Sequence, residues 1–516
     1  MTADHKEHLK ELSSYMQDKG FLYGPSPEIY GGLAGFYDYG PLGKLLKNNV
    51  ENAIRKVFQR ERFFEVECPT VLPTEVWQAS GHLDNFTDPL IKDTKGNTFR
   101  ADNLIEEHCR NNNLDADELQ LDGMSDKELL ETIEKLGVTS PMKGAELVSE
   151  ITYHNLMMKT TIGTDREAYN RPETATTTYL PFLRYMNFFR DKLPNGIFQI
   201  GKAYRNEISP RQFLLRLREF TQAEAQLFIF KDQKNKFEKF DRVKDDKLPL
   251  WSAELQSEGS YDDFKEKHAD GFSLAQAIEK NMLKNQAYTW TLWVTYELFK
   301  AMGIPTSHMR FRQHNEKEMA FYADDAWDLE AYLPSFGWTE MCGVHDRTDY
   351  DLKTHSKASG QDLAAQKPEG GKETPHVIEI AFGTDRAAFS LLDIFYEAKV
   401  KEEGKTTFRI PYNMAPLPVA VFPLTNKLTA EAEELFQTLQ RDMMTFFDKS
   451  GSIGKRYLRA DTIGIPYCVT YDFDSREDDA VTVRDRDSGE QKRVPMIRLS
   501  EIIQELIDGK IAFKDL

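Results

Sequence analysis

The sequence predicts a mixed α/β (α+β) protein: an antiparallel sheet flanked by helices, followed by a smaller C-terminal α/β block. Three features predict it. Period-two alternation runs on both sides of a break within Phe198–Phe230, FQIGKAYRNEISPRQFLLRLREFTQAEAQLFIF, as in a pair of antiparallel strands around a short turn at Ser209-Pro210. Apolar residues recur at helical spacing from Gly40-Pro41 to Arg62, and again from Gln286 in QAYTWTLWVTYELFKAMGI. From Pro416 onward, short apolar strands alternate with helical segments, the pattern of a compact α/β domain.

A chain of 516 residues with 40% hydrophobic content can bury real cores and divides into two to four domains. The formal charge of −18 argues against indiscriminate nucleic-acid binding, yet leaves room for a local basic surface that grips a polyanion of definite shape. No stretch reaches the roughly 20 apolar residues that span a bilayer. The opening MTADHKEHLKELSSYMQDKG reads as a charged helix without a signal-peptide core, so cytoplasmic residence without membrane attachment is expected. Cys68, Cys109, Cys342 and Cys468 form no CxxC pair, so neither a disulfide framework nor a zinc ribbon is expected, and each is read as a small buried hydrophobe.

In chain order, Leu42, Leu45, Leu46, Val50, Ala53, Ile54, Val57 and Phe58 define one face of a long amphipathic helix with Pro41 in its first turn. Phe63 to Pro69 then alternates as a strand that Pro69 confines to an edge or a terminus. Such a helix and edge strand suit a pairing surface for a second copy, and equally an internal helix packed on its own sheet. Residues 104–160 are polar, acidic and helical in pattern, an inserted module; residues 231–285 are charged enough to be a solvated excursion. In the last block, VAVFPL is a strand, LTAEAEELFQTLQRDMMTFFDKSG a helix ending at Gly451, and Tyr467–Tyr471 and Ala480–Val483 are further strands, with Asn413–Pro418 as linker.

The residue types along the hairpin suit a nucleotide. Arg205 offers a guanidinium to a phosphate, Phe220 a ring face to a base, and Glu207 and Glu224 carboxylates to amino groups. The same residues also suit a charged hairpin facing water, and the hairpin alone does not separate the two. In Pro375–Ala398, Val377, Glu379 and Ala381 share a strand face, Gly383 ends the strand, and Thr384 can cap a helix whose first turn holds Asp385 and Arg386. An arginine there adds to the positive end of the helix dipole and suits a terminal phosphate, or a surface ion pair. Trp338–Asp351 is a dense polar run whose carboxylates could hold Mg2+ beside phosphates, while His345 and Asp349 read as ordinary turn chemistry. Neither GxxxxGK[ST] nor GxGxxG is present, so any ATP site must be built from arginines on an antiparallel sheet.

Taken together and in order, RPETA (Arg171–Ala175), YRNEISPR, LRLREF, DRTDYDL and HVIE…FGTDR resemble a class II aminoacyl-tRNA synthetase of subclass IIa, and within it the homodimeric type of glycyl-tRNA synthetase. Arg62–Leu72 resembles motif 1, Phe198–Phe220 motif 2 and Gly383–Arg386 motif 3. The resemblance implies a class II catalytic domain over 1–415, with insertions at about 104–160 and 231–285, and an anticodon-binding domain over 416–516. It implies ATP with Mg2+, glycine and tRNA(Gly) as ligands, and a homodimer through Gly40–Leu72. It implies that Arg205, Asn206, Glu207, Arg216, Leu217, Phe220, Glu340, Met341, Gly383 and Arg386 hold ATP, with Arg205 and Arg386 catalytic at the phosphates and Glu340 the candidate Mg2+ ligand. Arg100, Glu173, Glu224, Glu379 and Ala381 would surround glycine.

The chain departs from the family pattern at two places. Glu379-Ile380-Ala381 stands where the family has EPS, so a serine hydroxyl beside glycine is missing, and Ala175-Thr176-Thr177 stands where the family has AQG. Thr176 or Thr177 could supply the bulk that excludes larger amino acids. Lys92–Asn97 lacks the cysteine pairs of some relatives, so no structural zinc is expected. The departures leave open an enzyme of the same fold for another small amino acid or a non-tRNA acceptor; a second alternative is a non-catalytic synthetase-like nucleic-acid-binding subunit, against which the presence of both Arg205 and Arg386 speaks.

Overall fold

The computed structural model describes residues 3–112, 114, 119, 121, 124–208, 210, 213–320, 322–396 and 407–516. It divides into two compact units, one containing Pro25–Phe36 and Ala53–Phe389, the other Lys6–Gly24, Tyr37–Asn52 and Ser390–Leu516. The first unit is organised by an eight-stranded sheet. Its strands in chain order are β1 (Phe63–Glu65), β2 (Asn195–Tyr204), β3 (Glu219–Ile229), β4 (Leu250–Trp251), β5 (Met309–Gln313), β6 (Asp325–Leu333), β7 (Gly337–Asp346) and β8 (His376–Gly383). They lie in the order β4-β5-β6-β7-β8-β3-β2-β1. The pairs from β5 through to β2 are antiparallel, whereas β4 and β1 join the two ends in parallel. The Pro-limited strand is therefore an edge strand, as its sequence predicts.

Helix α1 (Pro41–Arg60) has Pro41 at its first position, where the missing N–H costs nothing. The short α2 (Ala175–Tyr179) is wholly buried. Helix α3 (Gln286–Ala301), capped by Asn285 through the Tyr288 N–H, is apolar on nearly every side and backs the sheet. Its Phe299 ring meets Phe382 of β8 at 5.3 Å, and the Tyr288 hydroxyl donates to the Val344 carbonyl of β7 at 2.7 Å. Helix α4 (Thr384–Phe395) follows β8 directly and starts at Thr384 itself. Among the described residues, no helix is long and apolar enough to cross a membrane.

Several local expectations change. The connection between β2 and β3 is a long loop from Arg205 to Arg218, not a short turn, because the alternation continues past the last paired residues, Tyr204 and Glu219. Ser209, read as the break, lies outside the described residues, as does Ala398. Among the described residues the inserted module has α-helix at Ala101–Asn111 and Asp126–Leu136; Leu147–Asn155, rich in β-branched and aromatic residues, pairs antiparallel with Thr87–Asp93. The stretch 231–285 is packed rather than merely solvated, with Phe237, Phe240, Leu248, Phe264 and Leu274 buried between its charges. Cys109, Cys342 and Cys468 are buried, while Cys68 is only partly so.

In the second unit, β9 (Val419–Pro423), β10 (Thr445–Phe447), β11 (Tyr467–Tyr471), β12 (Ala480–Asp485) and β13 (Gln491–Pro495) form a five-stranded sheet in the order β10-β9-β11-β12-β13. Helices α5 (Thr429–Leu439), α6 (Ile453–Thr462) and α7 (Leu499–Ile507) pack on it through residues such as Leu435, Ala460 and Ile503. The helix expected to reach Gly451 stops at Leu439, since Thr445-Phe446-Phe447 pairs in parallel with β9. In the same unit Gly43 lies so close to the backbone that a Cβ there would sit 1.8 Å from the Phe21 carbonyl oxygen. Alanine is the better helix former by about 1 kcal/mol, but overpacking typically costs about 1–3 kcal/mol, so the clash dominates. Gly43→Ala is therefore expected to lower the melting temperature by several degrees; an unchanged or raised melting temperature would contradict this close approach.

Candidate active site

One cavity of about 390 Å3 opens on the first unit's sheet. It is lined by Arg100, Glu173, Arg205, Glu207, Arg216, Leu217, Phe220, Glu224, Glu340, Met341, Glu379, Ala381, Gly383 and Arg386. Of the residues expected from the sequence to touch nucleotide or glycine, all but Asn206 are on its wall; Thr176 and Thr177, read as excluding bulk, are not. The Asn206 backbone instead bonds to Leu156 and His154 of the inserted module.

The sheet explains the grouping. Residues of one parity on neighbouring strands face the same side, and the registers Gln226↔Glu379, Glu224↔Ala381 and Gly343↔Ala381 align β3, β8 and β7 so that their alternate residues form one floor. Glu173 and Thr174 immediately precede α2. Their position is fixed by the buried Arg171, which donates to the Lys202 and Cys68 carbonyls at 2.7 and 3.1 Å and to Gln199 at 2.9 Å. The 205–218 loop then supplies Arg205, Glu207, Arg216 and Leu217 from outside the strands.

At one end lie the cations. The Arg205 guanidinium stands 5.2 Å from the Phe86 ring centroid and 5.4 Å from that of Phe220, and donates to the Pro172 carbonyl at 3.1 Å. Arg386, on the first turn of α4, donates to the carbonyls of Leu215 and Glu340 at 3.1 and 3.0 Å. Among the described residues, neither the buried Nη1 of Arg216 nor the buried Oε2 of Glu207 has a hydrogen-bond partner. Burial, reinforced by the nearby Arg100, lowers the Arg216 guanidinium from its usual range. Arg100 pairs with Asp88 at 2.9 Å and with Asp102, while burial raises the Asp88 carboxyl to about 6.

At the other end three glutamates meet in unequal states. Burial works against ionisation of Glu379, but Arg347 at 3.3 Å, the His345 ring and the Tyr179 hydroxyl at 2.8 Å outweigh it and hold the carboxyl well below its ordinary value. At Glu173 burial is likewise outweighed, here by His82 at 3.3 Å. Glu224 goes the other way: burial and the facing charges of Glu379 and Glu173 push it well up, although the Thr174 hydroxyl donates to it. The pocket thus offers two carboxylates and one protonatable acid to a cationic group.

Sequence reasoning missed Asp88, Tyr322, His345 and Arg347 on this wall. His345 is not turn chemistry: β7 runs on through it, opposite Glu379, whereas Asp349 does sit just before a helix and pairs with Lys353 at 2.6 Å. Arg347 was visible as part of DRTDYDL, but only strand register reveals which carboxylate it meets. Thr176 and Thr177 do not line the cavity; both are buried in α2, where Thr177 accepts from Arg171 and Gln199. Glu340 is exposed at the mouth, 3.6 Å from Arg386, and among the described residues no group of three or more His, Cys, Asp or Glu is poised to hold a metal ion.

Residues 418–506 match the anticodon binding domain family. Over its whole length the chain is similar to the glycine–tRNA ligase of Pyrococcus horikoshii, with 38% identity covering 98% of this chain and 99% of that one. The glycine–tRNA ligase of Methanocaldococcus jannaschii is also 38% identical, over 97% of this chain and 99% of its own. Among solved structures, Giardia lamblia prolyl-tRNA synthetase in complex with prolyl-adenylate superposes with a TM-score of 0.60 and 13% identity, covering 99% of this chain and 81% of that one, a likeness of fold. An antiparallel sheet carrying arginines and buried glutamates in one cavity, joined to an anticodon binding domain and matched end to end by such relatives, places the chain in the glycine–tRNA ligase family.

Proposed function

We propose that the chain attaches glycine to tRNA(Gly) in two steps, with ATP as the energy source. A glycine carboxylate oxygen attacks the α-phosphorus of ATP, the bond to the β-phosphate oxygen breaks, and pyrophosphate leaves. A hydroxyl of the tRNA 3′ end then takes the glycyl group from the adenylate, releasing AMP. The observation that carries this reading is the polarity of the cavity, arginines at one end and glutamates at the other, matching a substrate pair that is phosphate-rich at one end and an ammonium at the other.

No side-chain nucleophile is needed, so catalysis rests on positioning and charge stabilisation. In this reading Arg205 faces the α-phosphate, Arg386 the γ-phosphate, Arg216 and Glu207 flank the nucleotide, and Phe220 stacks on adenine. Met341, Leu217 and Gly383 complete the ATP wall, and Asn206 acts through the backbone of its loop. Glu173, Glu224 and Glu379 receive the glycine ammonium, with Ala381 beside them, whereas Arg100, expected from the sequence at glycine, stands at the cation end with Asp88 and Asp102. The exposed Glu340 fits an Mg2+ ion that arrives with phosphates and keeps its waters, rather than a protein cage. Such an ion would neutralise phosphate charge.

We further infer a catalytic domain over 1–415, an anticodon-binding domain over 416–516, and cytoplasmic action. A homodimer through Gly40–Leu72 is supported by the free edge at β1, where Phe64 is 46% and Phe188 68% exposed, with their rings 5.7 Å apart.

Two measurements test this reading. Losing one charged contact to a reacting centre commonly costs about 2.7–4 kcal/mol, so Arg205→Ala is expected to cut glycine-dependent ATP/pyrophosphate exchange at least about a hundredfold with folding intact; near-normal exchange would overturn its role. Glu224, raised in the folded state, binds protons more tightly there than when unfolded, so its contribution to stability is present at low pH and lost as pH rises through the folded-state value. Glu224→Gln should therefore flatten the decline of melting temperature as pH rises above the ordinary carboxylate range; an identical decline in both proteins would show that this carboxyl is not raised by folding.

A further inference from the structure

What excludes amino acids larger than glycine is unassigned once Thr176 and Thr177 are found turned into the scaffold, and His345 is a wall residue placed to do it. His345 projects from β7 onto the same floor as Glu379 of β8, its register partner, with Nδ1 3.5 Å from the Glu379 Oε1. Two positions before it, Gly343 pairs directly with Ala381, so the floor beside the glutamates is made of two very small residues. The notch they leave is already covered. A Cβ built on Gly343 would lie 2.7 Å from Cε1 of the His345 ring and 3.5 Å from each ring nitrogen, which points the Cε1 edge of the imidazole at this floor.

The ring is also braced. On its far side His314 stands edge-on to it, with centroids 6.0 Å apart at 76°, and His314 is itself tied to Asp328 of β6 at 2.7 Å. Asp328, His314, His345 and Glu379 thus form a line of neighbours across β6, β7 and β8 that limits the room the imidazole has to swing aside. A wall excludes only if it resists displacement, and this one has a neighbour at each edge.

We propose that His345 is the specificity-determining residue of the amino-acid pocket: its imidazole fills the space over Gly343 and Ala381 that a substrate side chain would need, restricting the site to glycine. The inference rests on the amino-acid-activating function proposed above. Filled volume of this kind discriminates by roughly 10–200-fold per methylene.

The test compares glycine-, alanine- and serine-dependent ATP/pyrophosphate exchange in the full chain and in His345→Ala, with melting curves to confirm folding. His345→Ala is expected to narrow the glycine-over-alanine ratio of kcat/KM at least about tenfold, chiefly by a lower KM for alanine. His345→Gln, which restores a planar side chain of similar reach, should recover most of the ratio. A ratio unchanged in His345→Ala, or glycine and alanine exchange falling together in a folded variant, overturns the proposal, because a merely structural role lowers both alike. Should His345→Ala not fold, the comparison passes to His345→Gln and His345→Asn: the shorter Asn is expected to admit alanine more readily than Gln does, and equal ratios in the two overturn the proposal. Absence of exchange with every amino acid in the unaltered chain would instead refute the underlying function.

Discussion

A carboxylate that is 3% exposed and shares a cavity with two others stays ionised only where a fixed cation faces it, and Arg347 is that cation for Glu379. Its Nε and Nη2 each donate to Asp351 at 2.8 Å, leaving Nη1 for Glu379, while its plane lies 4.3 Å from the Tyr322 ring centroid. The backbone takes part as well, since the Arg347 N–H donates to the Val377 carbonyl at the start of β8. Stripping one partner from a buried pair generally costs about 3–5 kcal/mol, so the geometry of this corner is strongly held. Its effect reaches the next carboxyl: burial raises Glu224, and the charge that Arg347 maintains on Glu379 raises it further, while Glu173 is held ionised chiefly by His82.

The cavity thereby carries a sign reversal over a short distance inside a chain whose net charge is −18. Arg205, Arg216 and Arg386 converge at one end, where Asp88 and Asp102 are paired with Arg100, and Glu207, Glu340 and Asp385 also stand nearby. In a partly desolvated site such opposed fields act far more strongly than on the surface. They orient a bipolar ligand pair, and they do so with preorganised groups, which is the economical arrangement for chemistry that needs placement more than a nucleophile.

Much of this was legible in the sequence because residue type and alternation survive folding. The strand Val377–Ala381 with Glu379 facing in, the helix beginning just after Gly383, the Pro-limited edge strand and the buried helix from Gln286 are all where periodicity puts them. What was not legible depends on register or on distant partners. His345 sits among Asp, Arg and Thr, the composition of a turn, and only its pairing with Glu379 reveals it as part of a floor. The Thr176-Thr177 pair has the right bulk, yet Arg171, reaching in from Lys202 and Cys68, claims that face of α2. Local pattern also failed at Thr445-Phe446-Phe447, where a β-compatible triplet met a parallel partner in β9 and ended a helix that the spacing would have continued.

The topology of the central sheet bears on how the chain reaches this state. Tyr179 and Glu379 are 200 positions apart yet share a hydrogen bond, and β3 lies between β2 and β8, one contiguous in sequence and the other far downstream. Loop closure on that scale precedes any gain from pairing, so contacts of this kind form late and slowly. During synthesis the β2–β3 hairpin emerges with one long edge unpaired until β8 arrives, a period in which its buried-type residues Ala223, Ala225 and Leu227 are available to other chains. The strand that completes the cavity is thus also the strand that ends the exposure of its most aggregation-prone edge.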